Sequence, residues 1–148
     1  MSIENENEKP GLRVLVVEDN TMHRKMAGKL LERFGHHASF ANDGSEALDQ
    51  IAGQQPFDVI LMDRHMPVMD GLEATRKIRM LPGAEQATPI IAVTGAERQS
   101  EIDICLDAGM NDFVAKPIDP ERLRTALLNA AAGNFSTARG GPESGDGT

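Results

Sequence analysis

One segment constrains the fold of this chain more than any other. Leu12–Val17 (LRVLVV) is almost unbroken in apolar residues, and half of it is valine. A run this short with apolar side chains on both alternations predicts a β-strand covered on both faces, the signature of a parallel sheet. Phe57–Met62 (FDVILM) and Pro89–Thr94 (PIIAVT) repeat that character, and Phe113–Ala115 is a shorter fourth candidate. His37–Ala41 (HASFA) is more polar, which predicts a strand nearer the sheet edge.

The stretches between these runs carry helix signals. Met22, Met26, Leu30 and Leu31 fall on one helical face, and Gly35 follows as a C-cap. Asp43 with Glu46, and Asp70 with Glu73, form capping boxes, the second followed by Leu72 and Ile78. Asp119-Pro120 reads as an N-cap with proline at the first helical position; Leu123, Leu127 and Ala130 follow at helical spacing up to Gly133. Glu97–Ala108 predicts one more helix, with a thin apolar face, ending at Gly109. The order βαβαβαβαβα predicts an α/β fold: a doubly wound, five-stranded parallel sheet in the flavodoxin-like order 2-1-3-4-5, with helices on both faces. Residues 1–11 read as a flexible N-terminal arm, 12–133 as the domain, and the Gly/Ser-rich 134–148 as a flexible tail or linker stub.

Composition excludes several classes of function. A net charge of -8 argues against nonspecific binding to nucleic acid or anionic membranes. Aromatics are 3% with no Trp or Tyr, too few for base-stacking platforms. No apolar run approaches the roughly 20 residues of a membrane span, and the acidic start is unlike a secretory signal. The lone cysteine, Cys105, excludes an internal disulfide and a multi-cysteine zinc site, and the simplest compartment is the cytoplasm.

Open sheets of this order bind ligands beyond the carboxyl ends of their strands. Those ends carry Glu18 and Asp19, then Asp63, then Thr94, then Lys116 with Pro117 behind it. Three carboxylates in one crevice repel each other, and a hard divalent cation with oxygen ligands, Mg²⁺, relieves the repulsion. Such a site suits a phosphoryl group: a carboxylate can serve as nucleophile, giving an acyl phosphate, while Thr94 and Lys116 bind the remaining phosphoryl oxygens.

The same residues carry a resemblance. VLVVEDN at Val14–Asn20, LMDRHMPVMDGLEATRKIR at Leu61–Arg79, TPIIAVTG at Thr88–Gly95 and MNDFVAKPID at Met110–Asp119 resemble the response-regulator receiver domain, in the flavour found in hybrid histidine kinases and multistep phosphorelays. The resemblance covers Leu12 to Ala132. It implies that Asp63 is the phosphoacceptor. It also implies that Asp19 and Asp63 ligate Mg²⁺ (for which Mn²⁺ can substitute), that Glu18 acts through water, and that the His65 backbone carbonyl completes the ligands. Thr94 becomes the switch hydroxyl, Phe113 the switch aromatic, Lys116 the phosphoryl-binding cation, and Pro117 follows a cis peptide. Arg64 departs from the aliphatic residue usual after the acceptor, and is placed to steer the donor or fold over the phosphoryl group. His65 and Ala96 occupy the positions that tune autodephosphorylation, where Ala96 offers no hydrogen bond to an attacking water.

The implied function is a non-enzymatic phosphoacceptor that assists its own phosphorylation and dephosphorylation and switches a protein-binding surface for a downstream partner. The donor is a histidine kinase or histidine phosphotransfer protein, docking on the cationic first helix at Arg24, Lys25 and Lys29. Nucleic acid and membrane are not expected partners. The domain is either a stand-alone regulator or part of a hybrid sensor kinase. Taken singly, each site residue has a duller explanation: an acidic pair caps a helix, a threonine suits a strand, a lysine solvates a surface. His36-His37 reads as a solvated strand start, Cys105 as a small buried hydrophobe, and Met66 and Met69 as packing for the acceptor loop. Among other functions, an FMN protein needs a phosphate loop where EDN stands. An Asp-nucleophile phosphatase needs a second Asp where His65 stands. A scaffold without chemistry has no need of all five site residues.

Overall fold

The computed structural model describes residues 11–53, 56–66, 69–95 and 98–133. Residues 1–10 of the proposed 1–11 arm, and the proposed tail 134–148, lie outside the described residues, as do Ala96 and Glu97. Five strands, β1 (Arg13–Val17), β2 (His37–Ala41), β3 (Val59–Asp63), β4 (Ile90–Thr94) and β5 (Asp112–Ala115), form one sheet in the order β2-β1-β3-β4-β5. Every pairing is parallel. Five helices connect them: α1 (Thr21–Arg33), α2 (Gly44–Gly53), α3 (Gly71–Arg79), α4 (Gln99–Ala108) and α5 (Pro120–Ala132).

The sheet divides the core in two. Leu15, Ile60, Met62 and Ala92 point to one face and pack with Ile51 of α2, Ile78 of α3 and Cys105 of α4. Val14, Val16, Leu61 and Val93 point to the other and pack with Leu31 of α1 and Leu123 and Leu127 of α5. This period-two alternation is why the central strands contain no polar position before their ends. All five residues of β3 and of β4 are buried, whereas β2 at the edge keeps only Ala41 buried.

Local signals set the element ends. The Asn20 side chain accepts from His23 N, Asp70 from Glu73 N and Asp119 from Arg122 N, each starting a helix. The α1 face differs from expectation. Its buried residues are Ala27 and Leu31, while Met22 and Met26 are 64% and 50% exposed. The 22-26-30 stripe lies beside the inward one, on the flank of a groove described below. α4 starts at Gln99 with no side-chain cap, and a 3-10 turn at Ala84–Ala87 precedes β4. Cys105 is buried, and Met66 and Met69 pack partly buried against the core. The histidine pair divides: His37 is exposed, whereas His36 Nδ1 accepts the Leu12 amide at 3.0 Å.

Candidate functional site

Three strand ends bring the charged side chains together. Strand registry sets Asp63 beside Val93 and Thr94 beside Ala115. The ladder runs on past the strands: Glu18 N donates to Ala41 O, Arg64 N to Val93 O and Lys116 N to Thr94 O. Glu18, Asp63 and Lys116 thereby continue the alternation of Val16, Leu61 and Val114, and converge on the α1/α5 side of the sheet.

Lys116 Nζ lies 3.2 Å from Asp63 Oδ1 and 3.2 Å from Glu18 Oε1, bridging the two carboxylates. Glu18 and Asp63 are buried, while Asp19 is exposed at the mouth. One carboxylate oxygen from each of Glu18, Asp19 and Asp63 lies within 4.8 Å of the other two. Burial, and then the Glu18 charge, push the Asp63 carboxyl up to about 6, against the pull of Lys116 and a weak 3.4 Å hydrogen bond from His65 N. Burial opposes the Lys116 charge, but Asp63 and Glu18 outweigh it and hold the ammonium above its ordinary value. Three carboxylates against one lysine leave the site short of positive charge. That donor set, all hard oxygens with one member open to solvent, fits a divalent ion such as Mg²⁺.

The surrounding residues fix this geometry. Glu18 Oε2 accepts from Asn20 N at 3.1 Å and lies 3.6 Å from His23 Nδ1; Arg24 donates to Glu18 O at 2.8 Å. A side chain at Gly71 would place its Cβ 2.2 Å from Asp63 O, so only glycine lets α3 start this close to the acceptor loop. Thr94 is buried at the end of β4. Phe113 is half-buried, with the Arg122 guanidinium 5.1 Å from its ring centre. The Lys116–Pro117 peptide is cis.

One placement differs from the sequence reading. The Arg64 side chain does not fold over the carboxylates. It follows Met62 onto the opposite face of the sheet, where its Nε meets Glu101 Oε2 at 2.7 Å and its Nη1 lies 3.8 Å from Asp70. Arg24 is occupied by Glu18 O and Thr21 Oγ1, leaving Lys25 and Lys29 as the exposed pair of the three cations expected to meet a partner. Neither His23 nor Gly71 was assigned to the site that they shape; the Asn20-to-His23 capping spacing is the signal that sets His23 above the strand end. Beside the carboxylates, Met26, Ala27, Leu30, Pro117 and Ile118 line a mostly apolar groove of about 320 Å³ that ends at Glu18, Asp63 and Lys116.

Known proteins share this arrangement. The family model of the response regulator receiver domain matches residues 14–128. The signal transduction histidine-protein kinase BarA of Escherichia coli is 41% identical over 131 residues, 88% of this chain but 14% of BarA. The CAI-1 autoinducer sensor kinase/phosphatase CqsS of Vibrio cholerae is 42% identical over 81% of this chain and 17% of its own length. The chain thus spans about one-seventh of the first curated relatives it matches. Among solved structures, the receiver domain of sensor histidine kinase PA1611 from Pseudomonas aeruginosa, with a magnesium ion in its active-site cleft, superposes with a TM-score of 0.74. It is 36% identical over 84% of this chain and 99% of that one. A putative response regulator from Chloroflexus aurantiacus gives a TM-score of 0.78 at 31% identity, over 84% of this chain and 99% of its own. The two kinases are similar to this chain over a small part of their own length, and the chain belongs to the response regulator receiver domain family.

Proposed function

We propose that Asp63 accepts a phosphoryl group from a phosphohistidine, on a histidine kinase or a histidine phosphotransfer protein. One observation carries the reading: three carboxylates lie within 4.8 Å of one another with Lys116 bridging two of them. An Asp63 oxygen attacks phosphorus, the P–N bond breaks, and the imidazole leaves as a neutral ring once protonated. Glu18, Asp19, Asp63 and the His65 carbonyl are the residues that would hold Mg²⁺, which when bound supplies charge neutralisation for the acceptor and the arriving phosphoryl oxygens. Lys116 binds one phosphoryl oxygen and Thr94 another. Burial of Asp63 keeps bulk water off the nucleophile, so the incoming phosphorus meets a poorly hydrated carboxylate.

The groove beside α1 supports the choice of donor. It is mostly apolar, and it leads from the exposed Met26 to the reacting oxygens. A helix bearing the phosphohistidine can lie in it, with Lys25 and Lys29 at its rim. Switching follows through Thr94, which moves toward the new phosphoryl oxygens, and Phe113, which fills the vacated space and alters the surface offered to a downstream protein. The chain assists this transfer and its reversal without turning over a free substrate. Its kinship with kinase receivers favours a step within a phosphorelay. Hydrolysis is slow, because Ala96 cannot orient water and only His65 remains to do so.

Intact-mass spectrometry after incubation with acetyl phosphate and Mg²⁺ tests the acceptor. One phosphoryl adduct is expected on the parent and none on Asp63→Asn. Equal labelling of the two refutes the assignment.

A further inference from the structure

Arg64 follows the phosphoacceptor directly, yet its side chain serves the other side of the sheet. It is only 13% exposed, and Glu101, its 2.7 Å partner on the first turn of α4, is 19% exposed. Arg64 Nε and Glu101 Oε2 are both shut off from solvent, and among the described residues neither has an aligned hydrogen bond, so the contact holds by charge. Cys105 lies buried one turn further along α4, and the Arg64 charge offsets part of the upward push that burial gives its thiol. Its backbone is tied on both sides: Arg64 N donates to Val93 O, and Arg64 O accepts from Gly71 N. Arg64 is thus fixed to β4 and to the start of α3 through its main chain, and to α4 through its side chain.

α4 needs such a tie. It has no side-chain N-cap, and only Ile102, Cys105 and Ala108 are buried along it. Removing one partner of an ion pair nearly sealed from water strands a charge, so breaking this one loosens the first turns of the helix.

We infer that Arg64, through Glu101, is a positioning residue that couples the acceptor loop to α4, a second arm of the switch on the opposite side of β3 from the phosphoryl group. The proposal rests on the phosphoacceptor reading of Asp63. An aspartyl phosphate places about two negative charges where the resting site has one carboxylate. Lys116 is the cation in contact with Asp63, but the Arg64 guanidinium is carried on the very next residue, and the new charge there weakens its hold on Glu101. As Arg64 gives way, Glu101 loses its partner, the first turns of α4 loosen, and Cys105 is uncovered. This arm differs from the Thr94 and Phe113 arm because it pulls on the N-terminal half of α4 through a side chain and needs no aromatic rotation.

The chain contains a single cysteine, so labelling reads one position, buried on the helix that the ion pair holds. The experiment measures the rate at which Ellman's reagent labels Cys105 in the full chain, at rest and with beryllofluoride and Mg²⁺. The parent is expected to label about tenfold faster when activated, a change of about 1.4 kcal/mol in local opening. Arg64→Met and Glu101→Gln are expected to label fast at rest and to change less than about twofold on activation, while Arg64→Lys keeps most of the parent ratio. The ratio, not the resting rate, is the readout, since a merely structural role moves only the latter. Should Arg64→Met fail to fold, Glu101→Gln decides the matter alone. An unchanged rate in the activated parent, or a parent-like ratio in both variants, overturns the coupling. Intact-mass labelling by acetyl phosphate, run alongside, separates the two claims. An unlabelled parent brings down the phosphoacceptor reading and the coupling with it, whereas a labelled parent with parent-like ratios in the variants overturns the coupling alone.

Discussion

Asp63 and Asp112 are both buried aspartates, 4% and 1% exposed, and each has a cation against one oxygen. Lys116 stands 3.2 Å from Asp63, and Arg122 stands 2.8 Å from Asp112. The difference is in what else each one meets. Asp112 also accepts its neighbour's amide, Phe113 N, at 2.8 Å, and Arg122 donates in addition to the Phe113 carbonyl and covers its ring. One negative charge faces one fixed positive charge, and the pair knits β5 to α5. Asp63 shares its single lysine with Glu18 and has Asp19 beside it, so negative charge is in surplus. A buried charge alone therefore does not mark a site. A buried charge left uncompensated, at the end of a strand, beside an open groove, does.

The contrast breaks most sharply on the cations. Lys116→Met should slow phosphorylation by roughly 100-fold, the scale for losing one group that stabilises transferring oxygens, while changing the melting temperature little. Asp63 and Glu18 outweigh burial for this lysine, so its loss costs some stability, but the Asp63 carboxyl, already held at about 6, takes up a proton and limits that cost. Arg122→Met should do the reverse: it strands Asp112 and costs about 2–4 kcal/mol of stability, with acceptance at Asp63 retained. Denaturant melts and acetyl phosphate labelling of both variants check this. Similar profiles for the two would erase the distinction.

Mg²⁺ sharpens the same point at the next scale. At about tenfold over its dissociation constant the ion should stabilise the fold by about 1.4 kcal/mol, raising the melting temperature by a few degrees. The gain should depend on pH in a stated direction. The Asp63 carboxyl sits at about 6 in the folded chain against an ordinary 3.8. Its protonation therefore favours the ion-free fold, an effect fully present below about 4 and lost as pH rises through about 6. Proton and ion compete for the same oxygens, so the Mg²⁺ increment should shrink as pH falls through about 6. Asp63→Asn should remove most of this dependence, and Asp112→Asn none of it. Calorimetric scans between pH 5 and pH 8 on the order of one-unit steps provide the check.

Much of this was legible in the sequence, and the reason is burial on two faces. Strands β1, β3 and β4 have to be apolar throughout, so their ends announce themselves as the first polar residues: Glu18, Asp63 and Thr94. Capping residues Asp43, Asp70 and Asp119 are equally plain, because a helix start needs a side-chain acceptor. What stayed hidden depends on distant partners. Arg64 reads as a cation beside the acceptor, and only the pleat, together with the position of α4, sends it to Glu101. Met22 and Met26 have the spacing of a buried stripe, yet small Ala27 is the residue that faces the sheet, because α1 packs close. The Asp112–Arg122 pair spans an element boundary that sequence spacing alone does not bridge.

The smallest expected effect concerns the partner. Lys25→Glu with Lys29→Glu should lower the rate of transfer from a phosphorylated histidine phosphotransfer protein about threefold to tenfold at low salt, and less at high salt, as rim charges steer encounter more than they bind. Transfer from acetyl phosphate should be unaffected. Rapid-quench phosphotransfer at two ionic strengths measures both. An equal loss with both donors would place these lysines in the acceptor chemistry rather than in docking.

The central claim is that the surplus of carboxylates makes Asp63, and no other buried aspartate, the phosphoacceptor. Borohydride reduction of the phosphorylated chain, followed by peptide mass spectrometry, tests it most directly, because reduction of an acyl phosphate leaves homoserine where the aspartate stood. The account predicts homoserine at position 63 alone, formed only with donor and Mg²⁺. Homoserine at Asp19 or Asp112, or reduction at position 63 without prior phosphorylation, would contradict it.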